Sequence, residues 1–137
     1  MTKIPIFIIV HNQYEILKKS VDSYEKFIKS PIEIIFHDVC STNPETIFYL
    51  NDRKNKGYTT FRSEVNNHHT VMNSVKDYIL KNPKCEYIVI TDPDIELFNV
   101  NNDILEFYIF LLKKNKSISV GPMLKIDDIP DEYYNKK

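Results

Sequence analysis

The chain has 137 residues, 42% hydrophobic content and a formal net charge of −1. This length allows one domain with a buried core, and the scattered basic residues lack the patch typical of nucleic-acid binding. No apolar run approaches the roughly 20 residues of a membrane span. Cys40 and Cys85 lie far apart in the sequence, which favours free thiols in a soluble, cytoplasmic protein.

Short apolar runs alternate with helical patterns along the chain. The runs predict strands at Ile4–Val10, Ile32–Phe36, Tyr58–Phe61, Tyr87–Ile90 and Ser117–Val120. Apolar residues at helical spacing predict helices over Tyr14–Lys29, after Pro44, from Val71 and from Ile104. In the third helix, the predicted inward stripe consists of Val71, Met72, Val75, Tyr78 and Ile79.

This order predicts an α/β fold, in which a mostly parallel central sheet is flanked by helices on both faces. We expect one compact domain over residues 1–137, with a core over about 1–122 and a C-terminal tail over 123–137. The strand at Tyr87–Ile90 is β-branched and uninterrupted, which is typical of a strand buried on both faces.

That strand stops at Asp92-Pro93-Asp94, because proline cannot donate to a ladder. Residues at i and i+2 of an extended segment project to the same side, so the two carboxylates are expected to lie together. A cation would relieve their repulsion, and an all-oxygen site favours Mg²⁺ or Mn²⁺. The alternative is ordinary turn chemistry, in which Asp and Pro are frequent.

Other polar residues follow strands at the same edge of the predicted sheet. His11 and Asn12 come after the first strand and Asp38 after the second, while Asn66–His69 precede a helix. Ligands of open α/β sheets bind at this edge. The alternatives left open are a surface position for His11, a loop-capping role for Asp38, and a solvated turn at His68 and His69.

The order of these motifs resembles the nucleotide-binding half of GT-A fold glycosyltransferases, a Rossmann-like fold, and in particular the inverting family-2 type. Phe7–Asn12 looks like that family's first strand, and Asp38–Asn43 looks like its Asp-x-x-Ser-x-Asp stretch. Val71-Met72-Asn73 stands where the family usually shows Ala-Arg-Asn, and Asp92-Pro93-Asp94 matches its Asp-x-Asp motif. The sequence departs from the family at Ile9, Asn67 and Met72, where Pro, Gly and Arg are usual.

The resemblance implies roles for these positions. Asp38 would accept the imide N–H of uracil, and Asp94, with Asp92, would hold Mn²⁺ or Mg²⁺ against the diphosphate. The nucleotide-binding set is Ile9, Val10, His11, Asn12, Asp38, Asp92 and Pro93, and the phosphate- or sugar-binding set is Asn67, His68, His69 and Asn73.

The implied activity is transfer of a hexose or N-acetylhexosamine from a UDP-sugar to a hydroxyl of a glycan or protein acceptor. No general base is identified, and only a short stretch follows Gly121, where the family places its acceptor half. The main alternative is therefore a UDP-sugar-binding module, or a truncated transferase that relies on a partner chain or homo-oligomer. A haloacid dehalogenase-like phosphatase and a nucleotidyltransferase are further alternatives.

Overall fold

The computed structural model describes residues 3–99 and 103–122. Four strands, β1 (Ile4–Val10), β2 (Ile32–Val39), β3 (Thr59–Ser63) and β4 (Val89–Thr91), form one sheet in the order β3-β2-β1-β4. Every pairing is parallel. The helices are α1 (Tyr14–Phe27), α2 (Pro44–Asn55), α3 (Val71–Lys81) and α4 (Ile104–Asn115).

The α/β fold with a parallel sheet flanked by helices is thereby confirmed. The chain adds β2 and β3 on one side of β1 and then returns to place β4 on the other side. This reversal is compatible with a Rossmann-like fold, in which ligands bind at the carboxyl ends of the strands beside the reversal.

Contacts divide the chain into two compact units, Met1–Ile104 and Leu105–Lys137. The first unit contains the sheet and α1 to α3. In the second unit the structure describes most of α4 and the residues up to 122. None of the helices within the described ranges combines the length and the apolar character needed to cross a membrane.

The two faces of the sheet bury different helices. On one face, α3 packs on the strands through a cluster of four buried residues, Phe7, Ile35, Val71 and Val75. On the other face, the Phe36 ring meets the Tyr49 ring of α2 at 6.1 Å and 80°. Tyr49 in turn contacts Tyr14 of α1 at 5.6 Å, so α1 and α2 share the face opposite α3.

The start of α2 follows directly from local sequence. The Asn43 side chain accepts the Thr46 N–H at 2.8 Å, and Pro44 occupies the first turn. These features satisfy a backbone donor that would otherwise be left without a partner at the helix end. The helix predicted after Pro44 is confirmed here, with Asn43 as its capping residue.

Two strand predictions need correction. β2 continues to Val39, so His37 and Asp38 lie inside the strand rather than in the loop after it, because both pair in register with β1 and β3. β4 is not buried on both faces: Ile90 is 40% exposed, and among the described residues β4 pairs with β1 alone.

The last predicted strand is also wrong. Ser117–Val120 forms no strand, and Ile118 is fully exposed. Lys116 has a left-handed φ of 51°, and the Ser117 N–H donates to the Leu112 carbonyl oxygen over 3.1 Å. These residues thus close the end of α4, in the pattern of a Schellman motif, instead of beginning a strand.

The predicted inward stripe of α3 is too wide. Val71 and Val75 are buried, whereas Met72 is 53% exposed and Ile79 41% exposed. The helix contacts the sheet along a narrow line, because residues at i and i+4 lie above one another on one face. The predicted C-terminal tail, 123–137, lies outside the described residues.

Candidate functional site

The His11 ring is held between the end of β2 and the loop after β3. Its Nδ1 lies 2.8 Å from the Val39 carbonyl oxygen, and because a carbonyl can only accept, Nδ1 carries a hydrogen. In the tautomer with this hydrogen alone, Nε2 is an acceptor, and the Asn66 side-chain nitrogen lies 3.3 Å from it. The loops after β1, β2 and β3 therefore meet at His11.

Asn12 links the loop after β1 to the loop after β2. Its side-chain oxygen accepts the backbone N–H groups of Thr42, at 2.9 Å, and Asn43, at 2.7 Å. Its own N–H donates to the Ser41 hydroxyl over 2.9 Å. Its φ of 58° is left-handed, a conformation that asparagine tolerates better than most residues. Asn12 therefore positions the two loops.

Asp38 is buried near the carboxyl end of β2. One carboxylate oxygen accepts the Ser41 N–H at 2.9 Å, and the other accepts a hydrogen bond from Arg62, its register partner on β3. Arg62 also donates to the Ser41 carbonyl oxygen over 3.2 Å. The half-exposed guanidinium thus places a positive charge beside the buried carboxylate.

The structure thus brings together three of the predicted nucleotide-binding residues, His11, Asn12 and Asp38. The other two predicted on β1 precede them directly: Ile9 is half-buried, and the side chain of Val10 is fully buried. We refer to the group formed by His11, Asn12, Asp38, Ser41, Arg62 and Asn66 as the strand-end cluster.

The Asp92–Asp94 segment begins directly after Thr91, the last residue of β4. Thr91 pairs with Ile8, so β4 ends two residues before the position at which β1 ends, Val10. Two hydroxyl groups of α1 hold it and its continuation. The buried Ser20 hydroxyl donates to the Pro93 carbonyl oxygen over 2.6 Å, and the Leu97 N–H donates to the Ser23 oxygen over 2.9 Å. The segment therefore lies beside α1.

Both carboxylates of this segment are exposed, and both influence Tyr24 of α1. Burial raises the pKa of the Tyr24 hydroxyl, and the negative charges of Asp94 and Asp92 raise this pKa further, while a hydrogen bond with Thr91 acts in the opposite direction. Negative charge is thus concentrated where β4 ends against α1.

Within residues 3–99 and 103–122, no three His, Cys, Asp or Glu side chains converge into a group that could hold a metal ion. Two exposed carboxylates are still a suitable donor set for an ion that takes its remaining ligands from water and phosphate, as Mg²⁺ commonly does. The residues present therefore fit a metal shared with a ligand better than a metal held by protein alone.

The predicted phosphate- or sugar-binding residues lie on the surface around the start of α3. Asn67, His68, His69 and Asn73 are all exposed. Asn67 caps a short 3₁₀ helix at His68–Thr70 by accepting the His69 N–H at 3.0 Å, and the two histidine rings are 4.0 Å apart. Within this loop, Asn66 makes the hydrogen bond to His11.

Beneath the same loop lies a buried histidine, one residue beyond the predicted end of the second strand. His37 Nδ1 lies 2.8 Å from the Ser74 hydroxyl and Nε2 lies 2.8 Å from the Thr70 hydroxyl. Since Thr70 donates to the Asn67 carbonyl oxygen, it accepts from Nε2, and Ser74 then donates to Nδ1. Burial lowers the pKa of His37, which favours this neutral arrangement.

Sequence reasoning missed several contacts of the strand-end cluster. Ser41 belongs to the stretch Asp38–Asn43 matched above, and its hydrogen bond to Asp38 was detectable, because an Asp side chain commonly accepts a nearby backbone N–H in a turn. The pairing of Arg62 with Asp38 was not, because it depends on the register between β2 and β3. The same holds for the hydrogen bond between Asn66 and His11, which are 55 positions apart.

Two concavities lie outside the predicted residues. One of about 400 Å³ opens at the amino end of the sheet, where Lys3, Glu25, Glu33 and Tyr58 contribute to its lining. Another of about 450 Å³ lies beside the starts of α1 and α2, lined by Tyr14, Pro44, Glu45 and Phe48. The second is the nearer to the strand-end cluster, since Asn43 caps α2 directly before Pro44.

No family model matches the sequence. The chain is 30% identical, in an alignment 142 positions long, to uncharacterized protein L142 of Acanthamoeba polyphaga mimivirus. The alignment covers 96% of this chain and 28% of the viral protein. The chain thus corresponds to about a quarter of that relative's length, and the relative's name states no activity.

Proposed function

We propose that the chain is the nucleotide-sugar-binding part of a metal-dependent glycosyltransferase of GT-A type. The donor is a UDP-sugar, and the transferred group is a hexose or N-acetylhexosamine that passes to a hydroxyl of a glycan or protein. One observation carries the proposal: polar residues lie at the carboxyl ends of β1, β2 and β4 in a parallel sheet whose strand order reverses at β1. Open α/β sheets bind their ligands at such a reversal.

The strand-end cluster is the proposed base site. Uracil presents an imide N–H, and Asp38 is an acceptor-only group at the end of β2. The His11 ring is fixed by its hydrogen bond to Val39, so it offers a pre-positioned aromatic surface for stacking. The Asn12 side-chain oxygen already accepts the N–H groups of Thr42 and Asn43, so Asn12 positions the loops around this site.

The Asp92–Asp94 segment is the proposed diphosphate side of the site. Asp94, with Asp92, would hold Mn²⁺ or Mg²⁺, and phosphate oxygens would complete the coordination. When bound, the ion supplies Lewis-acid stabilisation of the charge that grows on departing UDP. The hydrogen bond from Ser20 to Pro93 fixes the backbone between the two carboxylates, and the exposed residues Asn67 to His69 and Asn73 supply polar contacts to phosphate or sugar.

The second candidate function is binding of the UDP-sugar without independent transfer. It is favoured by the content of the proposed site, because the residues assigned above include no general base. Donor binding and acceptor binding are separable requirements, and the residues assigned above serve the donor only. A partner chain or a second copy would then supply the general base and the acceptor site.

The proposal is tested by UDP titration of an Asp94→Ala variant in the presence of Mn²⁺ and of a chelator. Wild-type protein is expected to bind UDP more tightly with Mn²⁺, and Asp94→Ala is expected to lose this difference while keeping its melting temperature, because Asp94 is exposed. Asp52→Ala removes an equal charge from an exposed ion pair with Lys56 and is the matched control. Equal Mn²⁺ dependence in all three proteins would contradict the assignment.

A further inference from the structure

The contacts of Asp38 conflict with direct access for a base. Its side chain is 4% exposed, whereas that of its partner Arg62 is 44% exposed. The Ser41 N–H occupies one carboxylate oxygen and the Arg62 guanidinium occupies the other. A ligand that approaches this carboxylate from solvent therefore meets Arg62 first.

We propose that Arg62 is a gate: in the ligand-free chain its guanidinium stands against Asp38 where the uracil edge would bind, and the base must displace it. This inference rests on the proposed function and concerns the regulation of the same site. The exchange replaces one N–H donor to Asp38 by another, the imide N–H of uracil, while the Ser41 N–H stays in place.

The two partners differ in how freely they can move. Asp38 is fixed because it lies within β2, is buried, and binds the Ser41 N–H at 2.9 Å. Arg62 is on β3, and its long side chain is nearly half exposed, so its charge is hydrated when it turns outward. Displacement therefore moves the arginine and leaves the carboxylate where it is.

The second contact of Arg62 gives the closed position a defined geometry. Besides Asp38, the guanidinium donates to the Ser41 carbonyl oxygen over 3.2 Å. It therefore links the end of β2 to the turn that follows it. Lysine is a point charge and lacks the planar fork that makes two such contacts at once. Arg62→Lys should therefore close the site less completely than arginine does.

The gate has a measurable effect on affinity. The free energy of a partly exposed ion pair favours the closed form of the site over the open form. The apparent dissociation constant of UDP is then about fivefold higher than that of the open form alone. Removal of the guanidinium should abolish this increase in the apparent dissociation constant. Arg62→Ala is therefore expected to bind UDP about fivefold more tightly than wild type, and Arg62→Lys is expected to fall between them.

The experiment is calorimetric titration of UDP with Mn²⁺ into the wild-type chain, Arg62→Ala, Arg62→Lys and Lys56→Ala. Lys56→Ala removes one positive charge from an exposed ion pair at the C-terminal end of α2 and controls for net charge. Melting temperatures establish that each protein is folded, and if Arg62→Ala is not, Arg62→Lys alone decides.

Tighter binding by the Arg62 variants, with Lys56→Ala equal to wild type, is the expected result. Binding of UDP by wild type with equal or weaker binding by the Arg62 variants would overturn the gate and leave the proposed function standing. Absence of UDP binding by all four folded proteins would overturn both.

Discussion

Replacement of Asn12 by alanine tests whether this residue positions the strand-end loops. The Asn12 oxygen accepts two backbone N–H groups, from Thr42 at 2.9 Å and from Asn43 at 2.7 Å. Its backbone is left-handed, with φ of 58°. Alanine removes the acceptor and also lacks the short polar side chain that stabilises asparagine in that conformation.

The magnitude follows from these two contributions. The Asn43 N–H is partly buried, so loss of its hydrogen bond costs about 1 kcal/mol, whereas the exposed Thr42 N–H can bind water instead. Alanine in the left-handed region costs about 1 kcal/mol more than asparagine does. The free energy of unfolding should therefore fall by about 2 kcal/mol in Asn12→Ala.

Two further variants separate the contributions. Asn12→Gly tolerates positive φ but lacks the acceptor, so about 1 kcal/mol should be lost. Asn12→Asp keeps an acceptor oxygen, and its negative charge lies near the N-terminus of α2, so its stability should stay within about 0.5 kcal/mol of wild type. Urea denaturation monitored by circular dichroism gives all four values. The reasoning is refuted if Asn12→Ala is as stable as Asn12→Asp.

Three other predictions concern residues around the site. His37 has a pKa lowered by burial from its ordinary value of 6.5, so the unfolded chain binds more protons between the lowered pKa and 6.5, and the free energy of unfolding should rise with pH across that window; urea denaturation at several pH values measures this rise. Ser20→Ala removes the hydroxyl that binds the Pro93 carbonyl oxygen and should lower the free energy of unfolding by about 1 kcal/mol in urea denaturation. Leu17→Ala empties a fully buried position of α1 and should cost about 3 kcal/mol by the same measurement.

Each of the three has a check in the chain. His37→Gln should flatten the pH dependence, and an unchanged dependence in this variant would exclude His37 as its origin. Lys19→Ala, at the exposed neighbour of Ser20, should be near neutral, and equal losses at both positions would count against the Pro93 contact. Ile16→Ala, at an exposed site, should cost far less than Leu17→Ala, and equal costs would contradict the observed face of α1.

Local sequence was sufficient to predict an element where the residues next to it mark its boundary. β1 was predicted with the bounds that the structure has, Ile4–Val10, because an unbroken apolar run is followed at once by His11 and Asn12. The helix after Pro44 was also predicted, and Asn43 and Pro44 both act on the helix that directly follows them. In both cases the residues that determine the structure are neighbours in the chain.

Prediction failed where distant partners decide the structure. The predicted second strand stopped at Phe36 because His37 and Asp38 are polar, yet both lie inside β2. His37 binds Ser74, 37 positions away, and Asp38 binds Arg62, 24 positions away. Such partners offset the cost of burying polar groups. Sequence periodicity contains no information about them. The strand-end cluster could therefore be predicted as an edge of the sheet, but not as a set of contacts.

The Asp92–Asp94 segment shows a related limit. Its position after a strand was predicted correctly, and β4 does end at Thr91. Its attachment to α1 was not predicted, because Ser20 and Ser23 look like ordinary polar residues of an amphipathic helix. Buried serines on the inward face of a helix are a signal for a contacting backbone segment, since each hydroxyl needs a partner.

The measurement that tests the central proposal most directly is a calorimetric titration of the full chain with UDP, GDP and ADP, each with Mn²⁺ and with a chelator. The proposal predicts heat of binding for UDP that depends on Mn²⁺, and much weaker binding of GDP and ADP. Absence of binding by every nucleotide, together with no rise in melting temperature at high UDP concentration, would contradict it.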